Sequence, residues 1–149
     1  MVNYQLHNVF LSTENISRIC DEYDLLIDAT DNFQARYLIN DAAIKLNKPF
    51  LFGLADGTKG MVSVFNYKNG PSLRCLFPLE PKGMSNNGID GAIMQVSILS
   101  IVGAIIANEA IKVILGKDTP LSGKLLKFNG SDYSFTFETI QKNPENFKN

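Results

Sequence analysis

The sharpest change in the hydrophobic pattern lies in residues 24–36, where an apolar run ends in acids, a hydroxyl and an amide before a helical pattern begins. This predicts a strand that delivers polar side chains to its carboxyl end. In an open α/β sheet, ligands bind beyond the carboxyl ends of the strands. Four side chains are therefore placed where a nucleotide or its metal could bind: Asp28, Thr30, Asp31 and Asn32.

The pattern on either side of this run predicts short elements. Residues 1–11 alternate weakly, as a strand does, and a short helix is expected from there to about Cys20. After the strand at 24–29, apolar positions at helical spacing predict a helix that stops at residues 47–49, Asn-Lys-Pro. The acids and the amide before this helix could simply cap it, which is the ordinary use of such residues.

The second half of the chain predicts antiparallel strands around one long helix. Two strands flank a turn at residues 56–57, and a final hairpin turns at 129–132. Between them lie a Pro/Gly/Asn-rich crossover loop at 69–90 and an apolar helix at 91–115. The whole predicts a single α/β domain over 1–149. It is Rossmann-like, with a partial parallel sheet that continues into mixed and antiparallel strands and a long buried helix.

The predicted apolar helix could be either a membrane span or a core helix, because residues 91–107 carry no charge. A bilayer span takes about 20 apolar residues. Gln95, Ser97 and Ser100 interrupt the run, and it continues into Asn108 without a basic flank or an aromatic belt. We interpret it as a core helix and expect no membrane partner, since a helix that is apolar all round suits the centre of a globular protein.

Composition favours a globular cytoplasmic protein and argues against a nucleic-acid-binding one. With 149 residues, 45% of them hydrophobic, the chain can bury one core. Its 14 basic and 15 acidic residues are spread out, without the Lys/Arg clusters that bind nucleic acid, so no nucleic-acid partner is expected. The first residues lack a secretory-signal pattern and the two cysteines form no disulfide framework, which predicts a cytoplasmic protein.

Six segments carry a family resemblance by their motifs and their order. They are Leu11-Ser-Thr-Glu-Asn15, Tyr23-Asp-Leu-Leu-Ile-Asp-Ala-Thr-Asp-Asn32, Arg36-Tyr-Leu-Ile-Asn-Asp41 with Lys48-Pro49, Gly60-Met-Val-Ser-Val-Phe-Asn-Tyr67, Gly70-Pro-Ser-Leu-Arg-Cys-Leu-Phe-Pro78 and Asn108-Glu-Ala-Ile-Lys112. Together they resemble the ThiF/MoeB/HesA family, the bacterial relatives of ubiquitin-activating enzymes. The resemblance covers the C-terminal portion of that family's fold.

The resemblance implies adenylyl transfer. The family binds Mg-ATP and couples AMP to the C-terminal Gly-Gly of a ubiquitin-like sulfur carrier such as ThiS or MoaD, in thiamine or molybdopterin biosynthesis. It implies that Asp31 contacts the magnesium of Mg-ATP with Asn32 beside it, and Mg²⁺ prefers such a carboxylate plus substrate phosphates. Asp28 is expected to be structural, and Arg36 to pair with a nearby carboxylate or anchor the dimer, with a phosphate role as the less favoured alternative. A homodimer is also implied.

Three departures from the family pattern bear on activity. No Gly-x-Gly-x-x-Gly phosphate loop occurs, so we expect weak or absent Mg-ATP binding and no activity from this chain alone. Many relatives hold zinc with two Cys-x-x-Cys pairs, but here Ser72-x-x-Cys75 and Glu145-Asn146-Phe147-Lys148 offer one thiol, so no zinc is expected. The crossover loop at Gly83–Asp90 lacks a cysteine nucleophile, and Cys20 and Cys75 are expected to be inert packed thiols.

The hypothesis is therefore an incomplete E1-like adenylyltransferase domain, as a fragment, the product of a split gene or a degenerate member. The alternative is a non-catalytic subunit that binds a ubiquitin-like protein or dimerises with another E1-like chain. An unrelated nucleotide-binding oxidoreductase is disfavoured because the sequence has no dinucleotide fingerprint.

Overall fold

The centre of the computed structural model, which describes residues 1–81 and 92–148, is a five-stranded mixed sheet. Its strands lie side by side in chain order: β1 (Leu26–Ile27), β2 (Phe50–Asp56), β3 (Lys59–Phe65), β4 (Lys124–Asn129) and β5 (Ser134–Thr139). The helices are α1 (Ile16–Asp21), α2 (Phe33–Lys45), α3 (Leu73–Leu76) and α4 (Ala92–Ile114), with a 3₁₀ turn at Pro144–Phe147. The expectation for the middle of the crossover loop, Gly83–Asp90, lies outside the described residues.

The sheet changes from parallel to antiparallel along its width, as predicted. β1 pairs with β2 in parallel, while β2, β3, β4 and β5 pair antiparallel in succession. The strand expected over 24–29 is short, because only Leu26 and Ile27 pair with a neighbour. The weak strand expected over 1–11 is wrong, since this segment has no regular structure and most of it is exposed without a pairing strand.

The core has two halves, one on each face of the sheet. On one face, α1, α2 and α3 pack with Phe50, Phe52 and Phe65. On the other face, α4 packs with Leu51, Val62 and neighbouring residues. Alternate residues of β2 therefore enter opposite halves, which gives three layers, helix on sheet on helix.

The α4 helix lies close to the sheet because glycines lie beneath it. A Cβ added to Gly60 would come within 2.8 Å of Val102 Cγ2 and 3.2 Å of Ile98 Cγ2. A Cβ at Gly53 would come within 2.8 Å of Val102 Cγ1. The two distances of 2.8 Å are shorter than carbon atoms tolerate, so the helix can occupy this position only over residues without a side chain.

Only one face of α4 is buried against the sheet. Ile98, Val102, Ile106, Ala110 and Val113 form that face. Other apolar side chains on the helix or just past its end are exposed, namely Val96, Leu99, Ile111, Ile114 and Leu115. The predicted long core helix is confirmed for the buried face, while these other side chains lack a covering layer among the described residues. By length and composition alone, the Val96–Ile114 part of α4 could also cross a membrane, a test that core helices pass as well.

Candidate functional site

The carboxyl end of β1 and the first turn of α2 form one polar tip. β1 ends at Ile27, and α2 begins at Phe33, three residues before the buried Arg36, with Asn32 as its N-cap. The Asn32 side-chain oxygen accepts a hydrogen bond from the Ala35 backbone N–H at 2.8 Å. The residue that caps α2 is therefore Asn32 and not Asp31.

Beneath the tip lies a buried ion pair between Asp28 and Arg36. Arg36 Nε donates to Asp28 Oδ2 at 2.8 Å, and the two side chains are 5% and 0% exposed. The other oxygen, Asp28 Oδ1, accepts hydrogen bonds from the Thr30 N–H at 2.9 Å and the Thr30 hydroxyl at 2.7 Å. Arg36 Nη2 donates to the Thr30 carbonyl at 2.9 Å. Asp28 thus has the structural role that was predicted for it, and it is the carboxylate with which Arg36 pairs.

Asp31 differs from Asp28 because its residue is exposed. The Asn32 side-chain amide donates to Asp31 Oδ1 at 3.0 Å, so the two predicted ligands lie side by side. An amide donor orients a carboxylate without neutralising its charge. The pair therefore holds a carboxylate oxygen at the surface of the tip.

Two cavities meet at this tip and share Ala29, Thr30 and Asp31 as a wall. One, of about 540 Å³, lies on the α4 side and is also lined by Asp28, Arg36, Gly53, Ala55, Val96, Leu99, Val102, Gly103 and Ile106. The other, of about 520 Å³, lies on the α2 side and is also lined by Val9, Phe10, Leu11, Asn32, Gln34, Ala35 and Leu38. Asp31 can thus be reached from two directions.

The donor set at the tip fits a cation that also takes ligands from its substrate. Mg²⁺ is usually bound by one or two carboxylates plus phosphates and water. Across residues 1–81 and 92–148, no three His, Cys, Asp or Glu side chains come together as a metal cluster. Asp31 would therefore be one ligand among several, with the rest supplied by a phosphate-bearing molecule.

Residues distant in sequence complete the cavities, and the sequence did not identify them as site residues. Val96 and Leu99 wall the first cavity from α4, and Phe10 walls the second from the N-terminal segment. Their apolar character is the same as that of core positions, so no local pattern distinguishes them. The membership of Arg36 in the first cavity was likewise not predicted.

Cys75 lies among hydrogen-bond donors that come from two ends of the chain. Its sulfur accepts from the N–H groups of Ser72 and Asn143 and from the Asn146 side-chain amide, each at 3.4 Å. The Ser72 hydroxyl is also 3.4 Å away. Burial raises the pKa of the Cys75 thiol, but these hydrogen bonds outweigh it and bring the pKa below its usual value. Residues 72–75 and 143–146, at or next to the positions where the resemblance would place the two zinc-binding pairs, thus meet around one thiol.

We expect Cys75 to be alkylated by iodoacetamide before Cys20, and at lower pH. The thiolate is the reactive form, and hydrogen bonds to sulfur stabilise it in Cys75. Burial raises the pKa of Cys20, only partly opposed by Lys48, so its thiolate appears at higher pH. Peptide mass spectrometry against pH gives both rates. The variant Ser72→Ala should move the Cys75 profile to higher pH, and faster labelling of Cys20 in the folded chain would contradict the expectation.

Comparison with known families and proteins matches residues 1–148 to the family described as the ThiF family. The chain is 43% identical over 136 residues to the adenylyltransferase and sulfurtransferase MOCS3 of Culex quinquefasciatus, covering 90% of this chain and 31% of that protein. It is 39% identical over 150 residues to the sulfur carrier protein adenylyltransferase of Thermus thermophilus, covering 97% of this chain and 55% of that protein. The chain therefore spans between a third and about half of these relatives.

Solved structures show the same fold at low sequence identity. The crystal structure of E. coli MccB with ATP has a TM-score of 0.72 at 14% identity, covering 91% of this chain and 42% of that one. The structure of PaaA has a TM-score of 0.64 at 18% identity, covering 87% of this chain and 46% of that one. At these identities the likeness supports the predicted Rossmann-like α/β fold and does not by itself identify a ligand.

Proposed function

Because the chain belongs to the ThiF family, we propose that it forms part of an ATP-dependent adenylation site. The substrate would be the C-terminal Gly-Gly of a ubiquitin-like sulfur carrier of the ThiS or MoaD type. The protein would act in the cytoplasm, in thiamine or molybdopterin biosynthesis. One curated relative is named a sulfur carrier protein adenylyltransferase and another an adenylyltransferase and sulfurtransferase, which supports the reaction class.

The observation that carries this proposal is the position of Asp31 on the wall between two cavities. Adenylation joins two substrates, because the carboxylate of one must reach the α-phosphorus of the other, a nucleoside triphosphate. A residue that can be reached from two sides suits such a reaction, because holding both substrates in place removes much of the entropic barrier. A site for one small ligand would need only one of these cavities.

The chemistry requires a carboxylate oxygen of the carrier to form a bond to the α-phosphorus while the bond to pyrophosphate breaks. When bound, Mg²⁺ would offset the negative charge that builds up on the departing pyrophosphate. The role of Asp31 would be to hold that ion through a carboxylate oxygen, with the Asn32 amide orienting the carboxylate. Thr30 and the buried pair below it would keep the tip in place.

The sequence contains no Gly-rich phosphate loop, so this proposal places the triphosphate cradle on residues outside it. We expect ATP–pyrophosphate exchange by the chain alone, with a Gly-Gly-ended carrier present, to stay at background. Exchange should appear when the chain is joined to the part of the Thermus thermophilus relative that it does not match. Robust exchange by the chain alone would overturn the expectation of an incomplete site.

In the joined protein, Asp31→Ala should lower the exchange rate at saturating carrier by at least about tenfold, as expected for loss of a metal-site residue. A matched control is Asp24→Ala, because Asp24 is an exposed aspartate that precedes β1 while Asp31 follows it. Its exchange rate should equal that of the unchanged protein. An equal fall in the exchange rate of both variants would contradict the metal-binding role proposed for Asp31.

A second candidate function, a non-catalytic subunit that binds the carrier, is favoured by the exposed surface of β5. Phe135 and Phe137 are 54% and 58% exposed and lie on the same face of this edge strand. Phe135 stacks on Phe128, with ring centroids 4.7 Å apart. Exposed aromatic side chains on the last strand of the described sheet suit the docking of another protein.

We also propose the homodimer that the resemblance implies, and the exposed apolar side chains of α4 support it.

We expect capture of a Gly-Gly-ended carrier by the immobilised chain to weaken when Phe135 and Phe137 are both changed to serine. Interface aromatic residues contribute about 2 kcal/mol or more when they are central. Capture should be unchanged in Asp31→Ala, since docking needs no metal. Loss of capture in Asp31→Ala, with the aromatic pair intact, would count against the binding-subunit function.

A further inference from the structure

We propose that Arg36 is a positioning residue that sets the direction of the Asp31 carboxylate. This inference rests on the proposed function, in which Asp31 holds a divalent cation. The relevant feature is Thr30, the residue before Asp31, which has all three of its polar groups bound by the Asp28–Arg36 pair.

The contacts fix the chain on both sides of Asp31. Asp28 accepts from the N–H and the hydroxyl of Thr30, while Arg36 binds its carbonyl at 2.9 Å. On the other side, Asn32 is held by its cap to Ala35 at 2.8 Å. The backbone of Asp31 thus lies between two immobilised neighbours, which restrict the direction of its side chain.

The shape of the guanidinium is needed for this arrangement. Arg36 uses Nε for Asp28 and Nη2 for Thr30, two nitrogens that are held apart in one plane. The plane lies near two rings, with the guanidinium carbon 5.1 Å from the Phe33 centroid and 5.6 Å from the Phe52 centroid. A lysine ammonium is a single point charge and cannot bridge both partners in this way.

Stability alone does not account for a charged pair at this place. A buried ion pair can often be replaced by apolar side chains of similar volume without loss of stability. Here the pair borders the same cavity as Asp31, and its two formal charges cancel, so it adds no net charge to that cavity. The pair therefore fixes the tip without adding net charge beside Asp31.

The first test measures the mobility of the tip without metal, by ¹⁵N relaxation of the full chain. The backbone order parameter of Asp31 should be near 0.85, the value of rigid backbone, and should fall below about 0.6 in Arg36→Lys. The matched control is Arg74→Lys. Arg74 also pairs with an aspartate, Asp41, and stacks 4.5 Å from the Tyr37 ring, but it does not line either cavity. Its variant should leave Asp31 rigid.

A second variant separates positioning from stability. The double substitution Asp28→Leu with Arg36→Met should fold with nearly unchanged stability and still show a mobile Asp31. A rigid Asp31 in the folded Arg36→Lys or double variant would overturn the inference. Failure of both variants to fold would also overturn it, because a pair retained for positioning should be replaceable by apolar packing.

The second test uses Mn²⁺ alone as the probe. In the unchanged chain, Mn²⁺ should broaden the amide signals around Asp31, and Asp31→Asn should abolish this. The folded Arg36 variants should need about tenfold more Mn²⁺ for equal broadening, the usual cost of losing a group that orients a metal ligand. Equal Mn²⁺ dependence would contradict the inference. Absence of broadening in the unchanged chain would instead contradict the metal role of Asp31, while the relaxation result still decides on positioning.

Discussion

Arg36→Ala should lower the free energy of unfolding by about 3–5 kcal/mol, the range for a buried ion pair that loses one partner. Asp28 would keep its hydrogen bonds to Thr30, but its side chain, which is 0% exposed, would carry a charge without the counterion it now has. The Thr30 carbonyl would also lose its donor. Urea unfolding followed by circular dichroism measures the difference.

The matched control for this prediction is Arg74→Ala. Arg74 binds Asp41 through two hydrogen bonds of 2.9 and 2.7 Å, but both side chains are partly exposed. Pairs in contact with water contribute at most about 1 kcal/mol, so the control should lose no more than that. Equal losses of unfolding free energy in the two variants would show that burial does not increase the contribution of the Asp28–Arg36 pair to stability.

Gly60→Val should lower the free energy of unfolding by about 1–3 kcal/mol and displace α4, which is the usual result of overpacking a core. The new Cβ would meet Val102 and Ile98, whose β-branched side chains have few alternative rotamers. Thermal unfolding gives the loss of stability, and chemical-shift changes confined to α4 and β3 would locate it.

The control is Gly103→Ala on the helix itself. A Cβ at Gly103 would meet no atom of the described residues within 4 Å, so alanine adds helix propensity without a clash there. It should raise the free energy of unfolding by about 0.5–1 kcal/mol. A fall in stability in this variant would mean that α4 is packed more tightly around residue 103 than the structure shows.

The strand tip was predictable from sequence because its determinants are local. An apolar run followed by polar residues predicts the end of a strand, and an asparagine three residues before a free N–H predicts a cap. The structure places Asn32 in that role and pairs Arg36 with Asp28, as expected. The hairpins formed by β2 with β3 and by β4 with β5 were also predicted, since turn residues mark them.

The cavity walls and the surroundings of Cys75 could not be predicted from the sequence, because they depend on contacts between residues that are far apart in the chain. The cavity walls from α4 and from residues 9–11 have ordinary apolar patterns, so only the folded arrangement brings them to Asp31. The surroundings of Cys75 come from Ser72 and from residues 143–146, a separation that no local pattern spans. The expectation of an inert thiol there did not include these donors.

The order of strands in the sheet has a consequence for how the chain assembles. β2 and β3 are joined by a tight turn, as are β4 and β5, so each hairpin can form with little loss of chain entropy. β3 and β4 are neighbours in the sheet but are separated in the chain by α3 and α4. Their pairing closes the longest loop of the fold and is expected to be the slow event, with docking of α4 over Gly60 completing it.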